Sequence, residues 1–330
     1  MSRMRLNCRL LATAQALPAR VVPTAEVAAL CGVPANVAEA RTGVRERRWL
    51  SGSETALSLG VQAARDALGG AGLEVSDVDV LLNASGSQLQ PIPDGAPLLA
   101  RELGLRGRAA YSLHATCLSF LVALEHAALL LHTGRARHVL IVSSEAGSLG
   151  LNFAQPESGL LIGDGAAAVV VGQATREDQG VEAALFETYP EGADHTRIRG
   201  GGSLRSPHLL DVTREELLFD MQGLHVLRLA SAILPDFLER LRPGLGRGLP
   251  GITRVIPHQA SAAGLKLMER FGWPPGRTEV TLPHLGNVIA ASLPLTLHQA
   301  RAAGRVREGD TLLLAGTGAG LTAGGIIFRL

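Results

Sequence analysis

Apolar and polar positions fall into two kinds of block along this 330-residue chain. Short, nearly continuous apolar runs bounded by Gly, Asp or Asn predict buried strands. Longer runs with apolar residues every three or four positions predict helices. On this pattern strands cover Met4–Ala14, Asp79–Ala84 (DVLLNA), His138–Ser144, the run after the turn in Gly163–Gly172, Arg254–Pro257, Thr311–Ala315 and Ala323–Phe328. Helices cover Thr24–Leu30, Ser53–Gly69, Ala96–Leu103, Leu118–Leu131, Glu215–Arg240, Ala260–Phe271 and Val288–Ala303. Strands interleaved with helices predict an α/β fold. The polar, Gly-rich stretch 173–214, with RGGGS at Arg199–Ser203, is the expected boundary between halves 1–173 and 174–330.

The second half repeats the first. Strand DVLLNAS resembles TRVIPHQAS, and GDGAAAVVV resembles GTGAGLTAGGII. Cys117 precedes Gly134 by 17 residues, and Asn287 precedes Gly304 by 17. Two similar α/β units packed as one body are expected, with Cys117 and Asn287 at matching helix starts that face a shared centre.

Composition adds exclusions. Thirty-one basic and 30 acidic residues leave a net charge of +1, so no basic excess points to nucleic acid. Lys266 is the single lysine, a bias we read as genome composition. Cys8, Cys31 and Cys117 form no CxxC pair, which argues against a disulfide framework or a zinc site and fits a reducing cytoplasm. No run of about twenty apolar residues predicts a membrane span, and no sustained apolar core of signal-peptide length stands at the N-terminus.

Three polar residues carry the candidate chemistry. Cys117 begins an apolar helix, His258 ends a strand in IPHQAS, and Asn287 precedes a helix in HLGNVIAAS. Strand ends and helix starts are where α/β folds place their chemistry. A helix N-terminus lowers a thiol pKa from its ordinary value of about 8.5, so Cys117 is expected to carry more thiolate. Each residue also has a plain alternative: a buried apolar cysteine, one histidine of ten, an N-cap asparagine. A papain-like protease also uses Cys, His and Asn, but its CGSC-W signature is missing. Asp164 in GDG lacks the GxGxxG of a nucleotide loop, and a structural turn is the better reading.

ATCLSF, GDGAAAVVV, IPHQAS, GNVIAAS and GTGAGLTAGG, with ARTGVRERR near the N-terminus, stand in the order and spacing of β-ketoacyl-acyl carrier protein synthase III. The chain resembles that family over nearly its whole length. The resemblance implies the thiolase fold, two pseudo-symmetric halves in a layered αβαβα body, paired as a homodimer. It implies a Cys117, His258 and Asn287 triad, with the backbone N–H groups of Cys117 and Ala319 as an oxyanion hole. It also implies no metal and no cofactor beyond coenzyme A or phosphopantetheine thioesters as substrates. The implied reaction loads an acyl group from acyl-CoA on Cys117. A malonyl thioester on acyl carrier protein then loses CO₂ and attacks it. An acyltransferase that forms no carbon–carbon bond, a condensing enzyme of secondary metabolism and a non-catalytic partner subunit are the alternatives.

The sequence also departs from the pattern. Arg41 matches the family arginine that holds coenzyme A, but Val37 replaces the tryptophan that stacks on adenine. Glu157 and Ser158 occupy the region of a second expected arginine. Ala263 replaces a carrier-facing arginine, whereas Arg228 matches another basic position and Lys266 and Arg270 lie nearby. By resemblance the loop Asn83–Pro97 closes the partner's acyl pocket. Ile92 there replaces a bulky Phe, which predicts a medium-chain donor in place of acetyl.

Overall fold

The computed structural model describes residues 5–209 and 211–330. Its strands are β1 (Arg9–Ala16), β2 (Arg20–Pro23), β3 (Glu46–Trp49), β4 (Val80–Asn83), β5 (Ala109–Ser112), β6 (His138–Glu145), β7 (Gly165–Gly172), β8 (Gly180–Thr188), β9 (Thr196–Arg197), β10 (Asp220–Met221), β11 (Arg254–Pro257), β12 (Thr311–Gly318) and β13 (Thr322–Arg329). Its helices are α1 (Thr24–Leu30), α2 (Ala35–Thr42), α3 (Ala56–Ala71), α4 (Gly95–Leu103), α5 (Ser119–His132), α6 (Pro156–Gly159), α7 (Gly223–Leu241), α8 (Ala262–Glu269), α9 (Leu282–Leu285) and α10 (Ser292–Ala302).

Two sheets share one topology. The first runs β1-β7-β6-β4-β5 and the second β8-β13-β12-β11. In each, the first three strands pair antiparallel and the next pair is parallel, β6 with β4 and β12 with β11. The second sheet is thus the first without the counterpart of β5. Helix α3 covers the outer face of the first sheet, and α7 covers that of the second. Helices α5 and α10 lie between the sheets, giving five layers, αβαβα.

The middle layer explains the apolar run at Leu118–Leu131. Phe120, Leu121 and Leu124 of α5 are fully buried, packed with Ile141 and Val169 of the first sheet and Leu314 and Ile326 of the second. Burial of each such side chain contributes roughly 1.5–3 kcal/mol. Strand β7 shows the same logic: all eight of its residues are buried, so GAAAVVVG carries no polar alternation.

The two central helices start alike. A single 3₁₀ turn, Thr116–Leu118, precedes α5, and another, Ile289–Ala291, precedes α10. The Ser119 hydroxyl accepts the Ala115 N–H, and the Ser292 hydroxyl accepts the Val288 N–H, both at 2.9 Å. Thr116 (φ 52°) and Ile289 (φ 45°), each three residues before its serine, are the non-glycine residues with left-handed backbone among those described. This register matches Cys117 with Ala290. The sequence-based pairing of Cys117 with Asn287 is corrected by three residues, because α10 has 11 residues and α5 has 14. Counting back from Gly134 and Gly304 therefore misaligned the starts.

Other predicted elements shift as well. The strand start expected at Met4 lies outside the described residues, and β1 begins at Arg9. The helix expected from Glu215 begins at Gly223, because tertiary partners hold 219–221 extended. Phe219 N–H donates to Gly150 O, Met221 N–H to Gln155 Oε1, and Asp220 accepts from Gln155 Nε2. The polar stretch 173–214 contains β8, which pairs with β13 along its length. Helix α2 and the β2–β3 pair lie within 15–50, where the sequence predicts only a polar turn, the helix Thr24–Leu30 and the ARTGVRERR motif.

Candidate active site

Cys117 sits in the 3₁₀ turn between β5 and α5, directly after the strained Thr116. A β-branched residue in left-handed backbone costs on the order of 1–3 kcal/mol, so packing must hold it there. Thr116 O accepts the Ser119 hydroxyl at 2.7 Å. Gly318 of β12 lies against the same turn: a Cβ on it would stand 2.6 Å from Thr116 Oγ1. Only glycine allows that approach.

His258 follows β11, and its N–H donates to Ala315 O of β12 at 2.8 Å. Gly316 presses on it, since a Cβ there would come 2.5 Å from His258 Cβ. The buried Gln259 anchors the segment, donating to Pro257 O and Glu279 O and accepting from Thr281 N and Leu282 N. His258 is 4% exposed, and burial pushes its pKa down to about 4. At neutral pH it is an uncharged imidazole whose buried Nδ1 has no hydrogen-bond partner among the described residues.

Asn287 is held by its backbone and by one side-chain oxygen. Its N–H donates to Leu161 O, its C=O accepts from Gly163 N, and its Oδ1 accepts from Ile289 N at 2.9 Å. Its amide Nδ2 donates only a long bond, 3.4 Å, to Ala260 O. The amide hydrogens therefore have donor capacity to spare.

Cys117, His258, Asn287 and Ala319 line one cavity of about 160 Å³. The N–H groups of Cys117 and Ala319 both point to the Cys117 sulfur and lower its pKa. Burial and the nearby Glu145 carboxylate outweigh them and push the thiol up to about 12. The resting residue is a thiol, which corrects the thiolate expected from a helix N-terminus. The physical reason is dehydration: a sulfur shielded by protein loses more from leaving water than one 3₁₀ turn returns.

Glu145 was not read from the sequence. It ends β6, wholly buried, and accepts from Gly86 N, Ser87 N and the Ser87 hydroxyl, with Ala290 N–H facing it. Burial raises its carboxyl to about 7 against the pull of those donors. The available signal was an acid closing the apolar run VLIVSSE.

Known proteins resemble the chain in sequence and fold. Residues 111–190 fit the family model of 3-oxoacyl-[acyl-carrier-protein] synthase III, and residues 247–330 fit the model of its C-terminal part. The chain is 33% identical to β-ketoacyl-[acyl-carrier-protein] synthase III 2 of Deinococcus radiodurans, over 96% of this chain and 92% of that one. The chain belongs to the β-ketoacyl-[acyl-carrier-protein] synthase III family. It is 32% identical to the Brucella abortus synthase III over 95% of this chain and 96% of that one. The Aquifex aeolicus synthase III structure superposes with a TM-score of 0.87 at 26% identity, covering 98% of this chain and all of that one. The priming β-ketosynthase of the R1128 polyketide pathway superposes at 0.86 and 27% identity, covering 99% and 98%. The five-layered body is thus the thiolase fold, and the chain is an acyl-transferring condensing enzyme.

The remaining predicted residues of this synthase III relative are scattered. Arg41 is exposed and lines a separate open groove with Ala263 and Lys266, which shares Met268 and Trp273 with the cavity. Val37 is 40% exposed. The Glu157 carboxylate accepts the Gly223 N–H at the start of α7. Arg228 is exposed on α7, and Ile92 is 89% exposed, away from the cavity of its own chain. The Asp164 carboxylate is spent on Leu50 N, Ser148 N and the Ser148 hydroxyl, as in a structural turn. No helix among the described residues is long and apolar enough to cross a membrane.

Proposed function

We propose that this enzyme condenses an acyl-CoA with malonyl-acyl carrier protein, through an acyl group carried on Cys117. One observation carries the reading: a cysteine, a neutral histidine and an asparagine with spare amide hydrogens meet in one cavity, with two backbone N–H groups on the sulfur. Cys117 attacks the donor thioester and loses its proton as the carbonyl carbon is captured, and coenzyme A leaves as the thiol. The N–H groups of Cys117 and Ala319 receive the oxyanion of the tetrahedral intermediate. The malonyl thioester then loses CO₂. His258 Nε2–H and the Asn287 amide stabilise the enolate oxygen as uncharged donors. Its α-carbon attacks the acyl-Cys117, the carbon–sulfur bond breaks, the 3-oxoacyl thioester departs, and the Cys117 thiolate takes up a proton from solvent to restore the thiol.

Arg41 at the groove suits the coenzyme A phosphates. Arg228, Lys266 and Arg270 are exposed and suit the acidic surface of a carrier protein. The exposed Ile92 fits a loop that completes a partner's acyl pocket in a homodimer, with a medium-chain primer. A monomer by light scattering at micromolar concentration would count against that pairing.

The deciding assay is release of labelled CO₂ from a ¹⁴C-malonyl thioester given with an acyl-CoA. Release together with a 3-oxoacyl product is expected. Acylation of Cys117 without CO₂ release would assign a non-condensing acyltransferase instead.

A further inference from the structure

Arg41 accounts for only the first half of the ARTGVRERR motif, and the second half bears on Asn287. His258 stands at the end of a sheet strand, whereas Asn287 lies between α9 and the turn Ile289–Ala291. Its backbone hangs on one neighbouring segment, through Leu161 O at 2.8 Å and Gly163 N–H at 3.0 Å. That segment, 160–163, itself lies between α6 and β7 and belongs to neither. Its anchors come from β3. Arg47 Nη2 donates to Leu160 O at 2.6 Å, Trp49 Nε1 donates to Ile162 O at 3.1 Å, and Asp164 N–H donates to Arg48 O at 2.8 Å. Successive residues of an extended chain face opposite ways. The segment therefore turns its 160 and 162 carbonyls to β3 and its 161 carbonyl to Asn287.

Arg47 is an unusual residue to find there. Its side chain is fully buried, and its hydrogen-bond partners are neutral: Leu160 O and, at 3.0 Å, the Thr24 hydroxyl. Its Nε has no partner among the described residues. Burial lowers its pKa only to about 10, so the guanidinium is charged at neutral pH. Moving a charge out of water onto neutral partners is costly, so its presence calls for a reason. The packing shows where it acts. A Cβ on Gly163 would stand 3.2 Å from Arg47 Cβ and 2.1 Å from Leu285 O. One on Gly286 would stand 3.4 Å from Arg47 Cβ and 2.5 Å from Leu161 O. The two segments thus cross in backbone contact against the Arg47 stem, one residue before Asn287.

We propose that Arg47 and Trp49 are positioning residues for Asn287. They fix segment 160–163, and that segment sets where the Asn287 amide stands against the enolate oxygen. Neither side chain lines the cavity, so both act through Asn287 and not on the substrate. A group misplaced by about 1 Å loses about a hundredfold in rate. The Cys117 and Ala319 N–H groups are carried by other elements, the turn before α5 and the end of β12, so acyl loading is spared. The inference rests on the condensing reading above, and its test separates the two.

The experiment is a double-mutant cycle. Arg47→Met keeps the stem and removes the donors, Trp49→Phe removes one N–H, and each is made alone and together with Asn287→Ala. Acylation of Cys117 by acetyl- and hexanoyl-coenzyme A is timed by mass spectrometry, and CO₂ release from a ¹⁴C-malonyl thioester is timed separately. Arg47→Met should slow CO₂ release roughly ten- to hundredfold and leave acylation within about twofold. Trp49→Phe should show a smaller fall of the same kind, roughly two- to tenfold. Arg47→Lys should recover part of the loss. Once Asn287 is alanine, neither variant should cost more than about twofold further. Equal slowing of both steps, or a full additional loss on the Asn287→Ala background, overturns the proposal. Should Arg47→Met fail to fold, Trp49→Phe decides by the same two comparisons. Hydrogen exchange of the peptide spanning 285–291 gives a readout free of chemistry: faster exchange in Trp49→Phe is expected, and unchanged exchange overturns the proposal. If Asn287→Ala leaves CO₂ release untouched, the condensing role of Asn287 fails, and the exchange result alone decides whether β3 holds that residue.

Discussion

Glu145 places a buried carboxyl group within electrostatic reach of the Cys117 sulfur and raises the pKa of that thiol. The acid itself titrates near neutrality, raised to about 7 by burial. For a carboxyl raised in the fold, the favourable contribution is complete below the unfolded value of about 4.5 and is gone once pH passes about 7. Above that pH the ionised Glu145 opposes loss of the Cys117 proton. Glu145→Gln should therefore move the pH profile of Cys117 alkylation by iodoacetamide downwards. It should also lower Tm, because an amide NH₂ would face a ring of donors. An unmoved profile in a folded variant would leave Glu145 with a scaffold role only.

Brief incubation with hexanoyl-coenzyme A should acylate Cys117 alone, as peptide mass spectrometry can read. Cys8 is fully buried, and Cys31 is partly buried beside Gly159. Neither borders the cavity, so an adduct on either would remove the basis of the mechanism.

Asn287→Ala should spare much of the Cys117 acylation and slow CO₂ loss from the malonyl thioester about ten- to thousandfold, the scale of one lost oxyanion donor. The variant also frees Ile289 N–H from its Oδ1 partner, so Tm must be followed alongside. Equal loss of acylation and decarboxylation would mean that Asn287 supports the fold and not the enolate.

His258 gives an acid limit with a definite sign. Its pKa is lowered in the fold to about 4 from 6.5. The uncharged ring is favoured, so its contribution is full above about pH 6.5 and is lost as pH falls to about 4. The whole transition is worth roughly 3 kcal/mol. Denaturant unfolding at pH 7 and pH 4.5 should show a smaller difference in His258→Gln than in wild type. Identical differences would show that other groups set the acid limit.

Hexanoyl- and octanoyl-coenzyme A should exceed acetyl-coenzyme A in kcat/KM, and Ile92→Phe should reverse the order. Each buried methylene adds roughly 0.8 kcal/mol where there is room. A wild type that prefers acetyl would refute the medium-chain donor. If Ile92→Phe leaves the long donors untouched, the loop Asn83–Pro97 does not close the pocket.

Some of these features were legible in the sequence and others were not, for physical reasons. Strand β7 stood out because it is buried on all sides and carries no polar interruption, and the α5 run because apolar residues outnumber Glu125 and His126 along it. The positions of Cys117, His258 and Asn287 were legible because each sits where an apolar run meets a turn. The late start of α7 was not, since it depends on Gln155 and Gly150, some 65 residues away, competing for the backbone at 219–221. The protonation of Cys117 was equally hidden. A helix start is visible in a sequence, whereas the dehydration that opposes it belongs to the packed interior.

The matched turns before α5 and α10 imply a division of labour. Each presents a backbone N–H at the same register, that of Cys117 in one half and that of Ala290 in the other. The Ala290 N–H faces the buried Glu145 carboxyl group, while the Cys117 N–H faces the sulfur. The fold thus contains two copies of one anion-receiving turn. One copy faces a carboxyl group of the protein itself, and the other stays open for a negative charge that lasts only as long as a tetrahedral intermediate. A fold of two similar halves can hold a single reaction centre because one of its two receptors faces a carboxyl group of its own.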